Sequence, residues 1–178
     1  MQSVVMQSSS PRIKEVEPPV ANALATHPFT SGMPPQEVSI LAENAMRVVY
    51  PAGQMIFREG DPANRFYLIE SGEVAIESHA NPMDTIRIQT IKAGDVLGWS
   101  WLFPPYTWHF DARTLEPTTA IFLYATRIRQ ACEDRPEIGY DLMQRIAAVV
   151  IKRLQDTRKQ LANALSCLEA AGGAKHNS

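Results

Sequence analysis

Between Val48 and Tyr124 the apolar residues keep a period of two; after Tyr124 they switch to steps of three and four that continue without a helix breaker for about 35 residues. A chain with this pattern must lay a sheet-forming body beside one long helix. In the first part Met55 and Phe57, Val74 and Ile76, and Ile86 and Ile88 alternate with polar neighbours, as half-buried strands do. Phe66-Tyr67-Leu68-Ile69 and Ile121-Phe122-Leu123-Tyr124 are continuous apolar runs, which suit strands covered on both faces. Turn signals separate them at Pro51-Ala52-Gly53, Glu59-Gly60-Asp61-Pro62, Ser71-Gly72-Glu73 and Ala93-Gly94-Asp95. Many short strands joined by glycine turns describe a jelly roll or small barrel.

The expected fold is therefore mainly β with flanking helices: a β jelly-roll, or double-stranded β-helix barrel, followed by a long C-terminal dimerisation helix. Residues 1–17 read as a disordered tail and 18–46 as an N-terminal helical segment, with a turn of helix over Val20 to Ala25 and a clearer helix from Gln36 to Ala45 opened by Pro34-Pro35. The barrel is expected over 47–125, helices over 126–171 and a flexible tail over 172–178. Thr126 is expected to cap a short helix through Glu133, and Asp134 with Glu137 to form a capping box. Seventeen Lys and Arg against 19 Asp and Glu leave a net charge of −2, which argues against a surface that grips nucleic acid as a whole. Cys132 and Cys167 form neither a disulfide framework nor a metal cluster, which fits a reducing cytoplasm, and no run is long enough to span a bilayer or serve as a secretion signal.

The last helix, on the order of 50 Å long, outreaches a small barrel. Tyr140, Met143, Ala147, Val150, Leu154, Thr157, Leu161, Ala164 and Leu168 form a heptad seam along it, while Ile138, Leu142, Ile146 and Val149 flank only its first half. The flanking row is expected to pack on the chain's own barrel and the seam on a second copy, giving a parallel homodimer. Arg145, Lys152, Arg153, Arg158 and Lys159 read mainly as a solvated basic face.

The stretch Ile56-Phe57-Arg58-Glu59-Gly60-Asp61-Pro62-Ala63-Asn64-Arg65-Phe66-Tyr67-Leu68-Ile69-Glu70-Ser71-Gly72, followed by Ala93-Gly94-Asp95-Val96-Leu97-Gly98, resembles the cyclic-nucleotide-binding domain of the catabolite activator (Crp/Fnr) family. Gly60, Gly72 and Gly94 stand at turn positions of that pattern, and Phe57 departs from it. The resemblance implies a cassette after Gly98 in which a glutamate meets the ribose and an arginine neutralises the cyclic phosphate. Here Trp99 stands in place of the glutamate, no Arg or Lys occurs between Lys92 and Arg113, and Thr107 or Trp108 falls at the arginine's place. Burying a phosphate without its cation is costly, so cyclic AMP or cyclic GMP is expected to bind poorly in the usual mode. Arg113 is one conceivable substitute, although strand parity sets it opposite Trp108.

The resemblance also places Thr157 where a threonine contacts the purine across the dimer seam. Candidate ligand residues are thus Gly98, Trp99, Ser100, Trp101, Thr107, Trp108, Arg113 and Thr157. Trp99, Trp101 and Trp108 either fill the pocket or line one for a flatter, less charged ligand. The family's helix-turn-helix has no counterpart in the few residues after Thr157, so direct DNA binding is not expected. No metal or catalytic residue is expected: His79 and His109 are the histidines near strands for a cupin-type metal site, and these or Met83 for haem, and no nucleophile stands beside a base. The reading is a non-enzymatic, cytoplasmic regulatory dimer with a degenerate cassette, a small-molecule effector and a downstream protein partner. The alternative is a scaffold dimer whose pocket fills itself.

Overall fold

A computed structural model describes residues 20–81 and 84–173; the tail at 1–17, Pro18-Pro19, Met83 and residues 174–178 lie outside them. Helices α1 (Val20–Thr26) and α2 (Pro35–Ala42) lead into strands β1 (Ala45–Tyr50), β2 (Met55–Phe57), β3 (Arg65–Ser71), β4 (Glu73–Asn81), β5 (Asp84–Lys92), β6 (Val96–Leu97), β7 (Asp111–Thr114) and β8 (Thr118–Tyr124), then α3 (Ala125–Asp134) and α4 (Pro136–Gly173). The strands form two antiparallel four-stranded sheets, ordered β1-β8-β3-β6 and β2-β7-β4-β5. This is the jelly-roll sandwich that the alternating pattern predicts.

The continuous apolar runs sit at the centre of the first sheet for the expected reason. Phe66, Tyr67, Leu68 and Ile69 are all buried. Tyr67 and Phe122, paired in register, turn inward, and Tyr67 reaches Phe57 on the other sheet with ring centroids 6.2 Å apart. Phe66 turns the other way, onto Phe29 and Trp101. Helices cover that second face: Leu24, Leu41, Ile128, Ile138, Leu142 and Ile146 are all buried there. Each such side chain contributes about 2 kcal/mol by burial, so the first half of α4 is firmly anchored.

Some local expectations are corrected. The second helix ends at Ala42, because Ala45 already pairs with Leu123. Thr126 caps nothing: β8 runs directly into α3, Tyr124 holds the cap position with extended backbone, and the Ala125 amide donates to Asn64 O. Asp134 accepts from Gln130 on α3, and the Ile138 amide donates to Arg135 O instead. Gly172 and Gly173 continue α4. Seam residues Tyr140, Met143, Val150, Leu154 and Leu161 are exposed on this protomer, Leu154 to 69%; the side chain of Leu168 lies outside the described residues. Among the described residues no helix-turn-helix follows α4, and no helix is long and apolar enough to cross a membrane.

A buried histidine ties the N-terminal segment to the barrel. His27 Nδ1 accepts from the Phe29 amide, which leaves Nε2–H to donate to Ile69 O at 3.3 Å. Phe29 O in turn accepts from Arg145 of α4. Burial holds the imidazole below its ordinary value of 6.5, against the smaller opposing effect of the Ile69 hydrogen bond. The unfolded chain therefore takes up a proton as the pH falls through 6.5 and the folded chain only at lower pH. Stability is full above this range and falls as the pH drops from 6.5 toward the folded value. Thermal melts of wild type and His27→Gln between about pH 7.5 and 5.5 should show the wild type losing stability more steeply with acid. Parallel curves would refute this origin.

Candidate functional site

A cavity of about 580 Å³ lies between the second sheet, the segment after β6 and the middle of α4. Phe57, Ile76, Ile88 and Gln89 form the sheet side; Gly98, Trp99, Ser100, Trp108, His109 and Phe110 form the loop side; Val150, Arg153, Leu154 and Thr157 close it from α4. Its walls are mainly apolar, with a few polar groups at the margin, as in small-molecule sites generally.

The loop is held from several directions. The Gly60 amide donates to Trp108 O, the Trp108 amide to Asp61 O and the Ala63 amide to Tyr106 O, so the Gly60-Asp61 turn sets the position of Trp108. Ser100 Oγ lies 2.9 Å from His109 Nδ1 across the loop. Arg129 of α3 donates to Trp101 O at 2.8 Å and stacks over Tyr106. Trp108 is buried and stacks on Phe57 with centroids 3.9 Å apart. Gly98 has φ +81°, and a Cβ there would come within 2.6 Å of the Trp108 ring, so glycine is required by both conformation and close approach.

Arg153 supplies the charge. Its guanidinium lies over the Trp99 ring, 4.6 Å from the centroid, and Nη2 donates to Val96 O. Burial pushes it down to about 10, with Asp95 acting weakly the other way, so it stays protonated at neutral pH. Among the described residues Arg153 forms no ion pair. It also borders a smaller recess of about 290 Å³ lined by Lys92, Gly94, Asp95 and Lys152.

A family model for the cyclic nucleotide-binding domain matches residues 47–135, half of the chain. The chain belongs to the cyclic nucleotide-binding domain family. Over 140 residues it is 29% identical to the CRP-like cAMP-activated global transcriptional regulator of Mycobacterium tuberculosis, covering 79% of this chain and 61% of that regulator. It thus spans about three fifths of that relative's length. A cAMP-dependent protein kinase regulatory subunit of Aspergillus niger is 37% identical over 71 residues, 40% of this chain and 16% of the subunit. Among solved structures, a putative cyclic nucleotide-binding protein from Geobacter metallireducens superposes with a TM-score of 0.69 at 24% identity, covering 77% of this chain and 99% of that one.

Of the residues expected at the site, Gly98, Trp99, Ser100 and Trp108 of the family domain and Thr157 of α4 meet around one cavity, and Trp101, Thr107 and Arg113 do not. Trp101 is fully buried on the helix-covered side against Phe66, with its indole N–H unpaired. Thr107 is spent in a β-bridge to Pro62. Arg113 pairs with Glu77 at 3.3 Å and donates to Gly53 O. Its register neighbours are Met55 and Ala75, whereas Ala112 shares its face with the cavity residues Phe57 and Ile76, so Arg113 points away, as its parity required. The basic-face reading of α4 also needs correction: Arg145 is bound to Asp141, Phe29 O and Ser31 O, and Arg153 lines the cavity. Arg153 is the cavity-lining cation that the charge pattern hid; its i,i+4 spacing to Thr157 is the signal that it shares the cavity side. His79 is engaged by Asp111 at 3.2 Å, and among the described residues no three His, Cys, Asp or Glu side chains converge on a metal geometry.

Proposed function

We propose that this domain is a non-catalytic regulatory module that works as a dimer through α4 and whose cassette has lost the ordinary cyclic-phosphate mode. The observation that carries this reading is Trp108: a stacked indole lies against Gly98 where the family resemblance calls for a cation, and the loop over residues 98–110 contributes no Arg or Lys to the cavity. A cyclic phosphate seated in the loop in the usual mode would lie against that indole with no cation of the loop beside it, and Arg153 stands apart from that place, over Trp99. The open cavity of about 580 Å³, and the place of Trp101 outside it, favour a ligand-responsive site over a self-filled scaffold. Val150, Leu154 and Thr157 belong to both the cavity wall and the heptad seam. Occupancy would therefore bias the register or angle of the paired helices, and through them a downstream protein.

Titration with cyclic AMP and cyclic GMP, read by calorimetry and tryptophan emission, tests the cassette. Heats without saturation up to roughly millimolar nucleotide are expected. Saturable binding at micromolar concentration would restore the ordinary mode and overturn the reading.

A further inference from the structure

We propose that the cavity takes a flat aromatic carboxylic acid, with no sugar phosphate to seat in the loop, and that Arg153 of α4, rather than any residue of the loop over 98–110, receives the carboxylate. The inference rests on reading the cavity as a ligand site and adds the ligand's chemical class and the source of its counter-charge. The shape argument comes from the rings. Phe57, Trp99 and Trp108 offer aromatic surface, and Ile76, Ile88 and Leu97 complete an apolar enclosure that favours a planar hydrophobic body.

The charge argument comes from what Arg153 lacks. One face of its guanidinium is covered by Trp99 and a single donor reaches Val96 O. Its other N–H groups meet no acceptor among the described residues. The nearby Asp95 carboxylate is already engaged, accepting from the Lys92 amide at 3.0 Å. A half-buried cation with unused donors beside an apolar cavity is stabilised most by an anion brought in with the occupant. Gln89 and Thr157 at the margin are neutral, and the histidine in the wall, His109, is paired with Ser100. The geometry thus places the cation on the seam helix itself, so an occupant that engages it is joined directly to the dimer element.

The test compares 2-naphthoate with 2-naphthamide, a matched acid and neutral amide, by calorimetry on the full chain. The acid is expected to saturate at one per chain and to bind roughly tenfold tighter than the amide. Arg153→Gln should remove the preference, so that acid and amide bind that variant equally, while Arg153→Lys, which keeps a cation, should retain part of it. The ratio in the unaltered chain is read first and stands even if a variant folds poorly. Equal binding of acid and amide would overturn the role of Arg153 while leaving the cavity a ligand site. A preference that survives Arg153→Gln would do the same. Failure of both compounds to bind would overturn the proposal together with the ligand-site reading.

Discussion

Replacing Leu154 with glutamate is expected to turn a dimer into a monomer that keeps its barrel. On the isolated protomer Leu154 is 69% exposed, and Tyr140, Met143, Val150 and Leu161 share its exposed stripe, so nothing among the described residues covers the seam. The helix is 38 residues, about 57 Å, and only its first half has a partner row in Ile138, Leu142 and Ile146. An apolar heptad stripe of that length in water is what a second copy of the same helix buries. Losing Leu154 burial on both protomers costs roughly 3–6 kcal/mol, about two to four powers of ten in Kd, before the repulsion of facing carboxylates. Sedimentation velocity should give a dimer for wild type and a monomer for Leu154→Glu, with unchanged far-ultraviolet circular dichroism. Ser166→Glu, on the opposite side of the helix, should leave the dimer intact. A monomeric wild type would sink the proposal.

The strands were legible because period-two alternation and glycine turns are local signals, and β2, β3, β4, β5 and β8 fall where the pattern puts them. The anchoring row of α4 was equally legible, since Ile138, Leu142 and Ile146 differ from the seam only in where their period stops. The site was harder for specific reasons. Trp99 and Trp101 are two apart, which in a strand would put them on one side; the 3-10 turn at Ser100–Leu102 sends Trp101 to the helix-covered face instead. Arg153 sits among other cations in the sequence, and only the return of α4 across the barrel brings it to Trp99. Trp108 was visible as a departure from the family pattern, yet its stacking on Phe57, itself a departure, required the fold to bring both together.

Gly72→Ala is expected to cost about 3 kcal/mol, and the contrast with Gly60→Ala shows why. Both glycines have positive φ, +91° and +85°, so alanine at either is strained by roughly 1–2 kcal/mol. At Gly60 a Cβ would meet nothing within 4 Å, and the glycine serves conformation alone rather than making room. At Gly72 the same atom would lie 2.5 Å from Thr118 Oγ1 and 2.7 Å from both Pro117 O and Thr118 Cα. Two of those atoms are backbone, at the start of the central strand β8, and Thr118 is itself fully buried with its hydroxyl donating to Glu116 O. Relief therefore requires moving β8 against β3, where Ser71 pairs with Thr119 across a register shift. Overpacking of this kind adds about 1–3 kcal/mol. For a chain of this size the combined loss lowers Tm by roughly 6–12 °C, against roughly 2–8 °C for Gly60→Ala. Differential scanning calorimetry of the two variants decides the matter: equal shifts would mean that the close approach at Gly72 carries no energy of its own.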